Sequence, residues 1–136
     1  MTWVRPTIGL LALTLVYASC ASPVPHADHT PRHGGVVMMY GDLHYEVVLH
    51  PQGEHRVYFS DALRADMPAS VTQDVTITVK HEPEVSEFLK ADIDPSGKFW
   101  VAHGKPVENL SATARIAFTF EGRSYWIELP FGFGSF

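Results

Sequence analysis

Residues 33–50, HGGVVMMYGDLHYEVVLH, constrain the fold more than any other part of the chain. Two runs of alternating character flank Gly41-Asp42, and a glycine-first two-residue turn of the II′ kind matches the twist of paired strands. The stretch reads as a β-hairpin with strands over 35–40 and 43–50. With those two residues as the whole turn, Tyr40 faces Leu43, Met39 faces His44 and Met38 faces Tyr45. Further along, Val37 faces Glu46, Val36 faces Val47 and His33 faces His50. Facing residues share one side of a sheet, and sides alternate along each strand. Val36, Met38, Tyr40, Leu43, Tyr45, Val47 and Leu49 therefore form an apolar face, expected to be core. His33, Val37, Met39, His44, Glu46, Val48 and His50 form the other. A one-residue slip would mix the two sets, so their separation supports the register.

The remainder follows the same period. Strands are expected over 56–60, 74–80, 85–91, 98–102, 113–120 and 124–130. Residues 61–73 read as a loop with one helical turn near Ala62-Leu63, and 92–97 as a turn. The closing hairpin, with Gly122-Arg123 as its turn, sets Phe120 opposite Tyr125, Phe118 opposite Ile127 and Ile116 opposite Leu129. These six make a second apolar face, with Arg115, Thr119, Glu121, Trp126 and Glu128 behind it. Seven or eight short strands with near-regular turns predict an all-β fold, an antiparallel two-sheet sandwich that is immunoglobulin-like in outline. It lacks the Cys…Trp…Cys signature of a true immunoglobulin domain.

Charge and motif content narrow the function. The formal net charge of −5 and the absence of clustered Lys and Arg argue against nucleic acid. No nucleophile elbow, glycine-rich phosphate loop or HExxH is present, so the chain is not expected to be an enzyme. Asp92 and Asp94, with Ser96 and Gly97, loosely resemble a calcium loop but lack its closing bidentate acid. The chain carries eight histidines, a high count. His81 and His103 lie beside turns and are expected at the surface.

Residues 1–19 have the form of an export signal: Arg5, then an apolar run over 7–17 too short to span a bilayer, then small residues. The run Leu15-Val16-Tyr17-Ala18-Ser19-Cys20 resembles the lipobox of bacterial lipoproteins, with Tyr17 where Leu is usual. That resemblance implies cleavage before Cys20 and its acylation, hence a membrane partner through the lipid anchor. No Asp follows Cys20, which favours the periplasmic side of the outer membrane. Residues 20–32 then read as the acylated Cys and a flexible Pro/His tether, and 33–136 as the sandwich domain. The tether holds His26 and His29, which with His33 give the spacing H-x2-H-x3-H; such a cluster can bind a metal, but taken alone the segment reads first as solvated polymer.

The runs 33–49, 57–79 and 114–129 resemble a small β-sandwich module of periplasmic adaptor subunits of heavy-metal efflux systems and of related exported proteins. The most specific part is His33-Gly34-Gly35 followed by Gly41-Asp42-x-His44-x-Glu46. The resemblance implies a periplasmic role in metal handling, with efflux-system or envelope proteins as partners. The chain lacks an adaptor's coiled-coil and lipoyl-like parts, so it is not a pump subunit in the full sense. His33, His44 and Glu46 are the leading candidate ligands, with Met39 and His50 as further ones. His26, His29, His33 and His50 form a second candidate set. Imidazole with thioether suits copper, especially Cu(I), and imidazole with carboxylate suits zinc or nickel. His33 lies far from His44 in the hairpin register unless Gly34-Gly35 fold the chain back. The alternative is an interaction module that holds no metal and docks through a sheet edge or through its Trp100 and Trp126 faces.

Overall fold

In strand β5 (Thr72–His81), Val75, Ile77 and Val79 are buried, whereas Thr76, Thr78 and Lys80 between them are not. A strand that alternates in this way must lay one side on a partner layer. The computed structural model describes residues 28–81, 84–109 and 111–132, and its strands form two such layers. The other strands are β1 (Val36–Tyr40), β2 (Leu43–Leu49), β3 (Glu54–Ser60), β4 (Asp66–Met67), β6 (Val85–Lys90), β7 (Asp92–Ile93), β8 (Phe99–His103), β9 (Thr113–Phe120) and β10 (Arg123–Pro130). One sheet runs β1-β2-β3-β8-β7, with β4 also on β3, and the other runs β10-β9-β5-β6. Every pairing is antiparallel, as the sandwich reading expects.

The first hairpin has the expected register throughout, Val36 on Val47 to Tyr40 on Leu43. Gly41 has φ 58° and Asp42 is not among the positive-φ residues, the pattern of a glycine-first turn. The last hairpin departs from expectation. Its turn is Glu121-Gly122, with φ 49° and 74°, so Arg123 pairs with Phe120, Tyr125 with Phe118 and Ile127 with Ile116. Two positive φ values make a turn of the I′ kind, whose twist also suits a hairpin. The register slides by two, and because the side-chain period is two, both faces keep their membership.

Two further expectations are corrected. Residues 61–73 are not one loop: β4 and a single 3-10 turn at Ala69–Val71 lie within them, and β5 already begins at Thr72. Ala62 and Leu63 sit in a plain turn closed by the Arg64 amide on the Asp61 carbonyl. β7 likewise takes the first residues of the expected 92–97 turn.

Between the sheets, Tyr45 and Phe118 meet edge-on with centroids 5.2 Å apart, and Phe59 meets Phe118 at 5.3 Å. Such contacts add to the area term of burial. Val36, expected in this core, is only partly buried. By contrast β2 is buried along its whole length, so its second face is covered as well. What covers it is the start of the described chain.

Candidate functional site

Gly34, at φ 78°, turns the chain back just before β1. Gly35 then lies flat on β2, where a Cβ would stand 2.3 Å from the Val47 carbonyl oxygen. Residues 28–35 consequently form a strap over the outer side of β2. Residues 20–32 are expected as a flexible tether. Its last part, 28–32, is instead hydrogen-bonded to the domain.

Glu46 is the hub of the strap. Its Oε1 accepts from the amides of His33 (2.8 Å) and Gly35 (3.0 Å). Its Oε2 accepts from the amide of Arg32 (3.0 Å) and meets His33 Nδ1 at 3.0 Å. Burial alone would raise the Glu46 pKa, but the amides of Arg32, Gly35 and His33, with the His33 ring, more than offset it and hold the carboxyl below its ordinary range. A buried carboxylate with four donors is fully satisfied. The His33 ring also stacks on Tyr58, 3.6 Å between centroids and 3° from parallel.

Arg64 supplies the second fastening. It is buried, with a positive φ, and its guanidinium donates to the carbonyls of Asp28 (2.6 Å) and Thr30 (3.1 Å). Arg32 reaches the opposite way, donating to the Arg64 carbonyl and to Asp66. The turn that presents Arg64 is held by Asp61, whose Oδ1 accepts from the amides of Leu63 and Ala65.

Under the strap lies His44, with no exposed surface. Its Nδ1 is 2.9 Å from the Asp61 carbonyl oxygen. A carbonyl only accepts, so Nδ1 carries the hydrogen and, in the neutral ring, Nε2 carries the lone pair. That Nε2 is buried and has no hydrogen-bond partner among the described residues. The exposed His29, on the strap, sets its ring 5.8 Å from that of His44 at 71°. Met39 is the cross-strand partner of His44, so both side chains leave the same side of the hairpin.

The structure thus brings His29, His33, His44, Glu46 and Met39 to one face, and Gly34-Gly35 do fold the chain back. It does not bring them to one point: His33 and Glu46 engage each other, whereas His29 and Met39 flank His44. His50 is exposed after the end of β2 and does not pair with His33, because β1 begins only at Val36. His26 and Cys20 lie outside the described residues, as do the signal-like segment and residues 133–136. Among the described residues, no group of three or more His, Cys, Asp or Glu side chains is placed to hold a metal ion, and no helix is long and apolar enough to cross a membrane.

Comparison with known proteins identifies no relative. No family model matches the chain, and no curated protein or solved structure matches it. The efflux-adaptor resemblance therefore stands on the quoted runs alone.

Two residues of consequence escape the sequence reading. His55, just outside the strand expected over 56–60, is on β3, has no exposed surface and has neither ring nitrogen hydrogen-bonded among the described residues. It meets Phe131 edge-on at 5.5 Å. Burial first, then the neighbouring His50, push its pKa down to about 4, against the weaker opposing influence of Glu87. Its alternation with the buried Val57 and Phe59 is a signal that places it inward. Arg64 has no such signal, since its partners are carbonyls more than thirty residues away in sequence.

Proposed function

We propose that this chain is an exported lipoprotein of the bacterial envelope that binds a transition-metal ion, in connection with metal efflux or resistance. It acts by binding rather than catalysis. The observation that carries the reading is His44. A histidine whose Nδ1–H is fixed by a backbone carbonyl, with Nε2 left bare, is oriented as a metal-binding imidazole is oriented. A buried acceptor without a donor otherwise carries a desolvation cost with nothing to offset it. The His29 ring lies against the His44 ring and Met39 leaves the same side of the hairpin, so the face offers two imidazoles and a thioether. Glu46 and His33 hold the strap that carries His29 to it.

Calorimetric titration of the wild type, His44→Gln and the remote His103→Gln with metal salts tests this reading. The wild type and His103→Gln are expected to bind alike, and His44→Gln to lose binding while melting at a comparable temperature. Equal behaviour of all three removes the site. Labelling with palmitate tests the anchor: it should mark the wild type and be lost in Cys20→Ala. Stable anchoring requires more than one chain or signal, which an acylated lipoprotein cysteine supplies.

A second reading has its own support. Phe88 and Trp126, 68% and 58% exposed, lie on the outer side of the β10-β9-β5-β6 sheet. Large exposed apolar side chains suit a docking module, and a chain that binds no metal in the titration would favour it.

A further inference from the structure

We infer that the ion taken at His44 is monovalent and soft, Cu(I), held between His44 Nε2, the Met39 thioether and the His29 ring of the strap. This rests on the metal-binding reading above and goes further by selecting the ion. The selection comes from where the negative charge near His44 is spent. Both oxygens of Glu46 are engaged, by the amides of Arg32, His33 and Gly35 and by the His33 ring. Asp61 turns its carbonyl to His44 Nδ1 and the Arg64 amide, and its Oδ1 to Leu63 and Ala65. Asp66 pairs with the Arg32 guanidinium. None of these carboxylates is committed to the bare side of His44.

The remaining donors, two imidazoles and a thioether, are all neutral. The cost of moving an ion out of water grows with the square of its charge, so a divalent ion in a covered site needs an anionic ligand far more than a monovalent one does. Zn(II) and Ni(II) would have to draw a carboxylate from its present partners, Glu46 from three amides or Asp28 from the Thr30 amide. Cu(I) needs no carboxylate, and thioether and imidazole ligands suit it. The exposure of His29 gives the site its entrance: the ion meets an imidazole at the surface, with the buried His44 ring 5.8 Å away from it, centroid to centroid.

The test is an anaerobic competition of the purified full chain against a chromophoric Cu(I) chelator under reductant, beside a Zn(II) titration, on wild type, Met39→Leu, His29→Gln and His44→Gln. Met39→Leu keeps the volume, and thermal melts check the fold of each variant. Cu(I) should bind the wild type, and each of the three variants should weaken it roughly tenfold or more, with Zn(II) binding much weaker and indifferent to Met39→Leu. X-ray absorption of the Cu(I) form should show a sulfur neighbour that Met39→Leu removes. Zn(II) binding as tight as Cu(I), or Cu(I) binding untouched by Met39→Leu, overturns this inference and leaves a metal site of another kind. Failure of both ions to bind overturns the metal-binding reading itself.

Discussion

Replacing Glu46 by Gln should release the strap while leaving the sandwich folded. The carboxylate holds the amides of Arg32, His33 and Gly35 at 2.8–3.0 Å and touches the His33 ring. A hydrogen bond to a charged group contributes about 1.5–3 kcal/mol. Gln keeps the shape and one carbonyl, which can remain on His33 and Gly35. Its NH₂ then points at the Arg32 amide, donor against donor. Loss of the charge on two bonds and of the third bond outright gives about 2–4 kcal/mol of local stability. Hydrogen exchange reads this directly, since 1.4 kcal/mol is a factor of ten. The amides of Arg32, His33 and Gly35 should exchange roughly 30 to 1,000 times faster, with those of Ile77 and Ile116 unchanged. The exposed Arg32–Asp66 pair is the control: Asp66→Asn should change the same amides by less than about 0.5 kcal/mol. Strap amides unmoved in Glu46→Gln would refute the hub, and equal acceleration in β5 and β9 would refute its independence from the core.

Other outcomes follow from the same geometry. His55 has a native pKa of about 4 against an ordinary 6.5, so the folded state takes up its proton less readily than the unfolded one. Its contribution is therefore intact above about pH 6.5 and is lost as pH falls toward 4, up to on the order of 3 kcal/mol. Urea denaturation across that window should show the slope, and His55→Leu should flatten it; an unchanged slope would acquit His55. Phe118→Ala should cost roughly 3–5 kcal/mol and Thr119→Ala little, and equal costs in a denaturant titration would mean the faces of β9 are misassigned. Gly35→Ala forces a Cβ into the Val47 carbonyl, whereas Gly122→Ala meets open space at φ 74° and should cost only about 1–2 kcal/mol. Similar melting temperatures for these two variants would show that the strap does not depend on that close approach.

The parts of the fold legible in the sequence are those governed by a period of two. Val36 to Val47 through Tyr40 to Leu43 can be paired from alternation and one turn. The closing hairpin shows the limit. Choosing Gly122 as the first or second turn residue shifts the register by two, and nothing in the alternation distinguishes them, because both leave Ile116, Phe118 and Ile127 facing inward. Glu121 at φ 49° decides it, a conformation that a glutamate does not advertise. The strap is illegible for another reason. It has no periodicity, and its bonds join backbone groups of residues 28–35 to side chains 11 to 36 positions away. The candidate residues were thus legible as a shared face, but the division of labour among them was not. Glu46 reads as a ligand beside His44 until the amides that occupy it are placed.

The double fastening of residues 28–35 also determines how the molecule bears mechanical load. A pull on the N-terminal side of the chain reaches Asp28 and Thr30 first, and through them Arg64 on the turn between β3 and β4. It then meets Glu46, at the centre of β2. Only beyond these does it reach β1, a sheet-edge strand paired on one side alone and easily peeled. Tension from that side is thereby passed to an interior strand, several hydrogen bonds at once, instead of unzipping the edge one pair at a time.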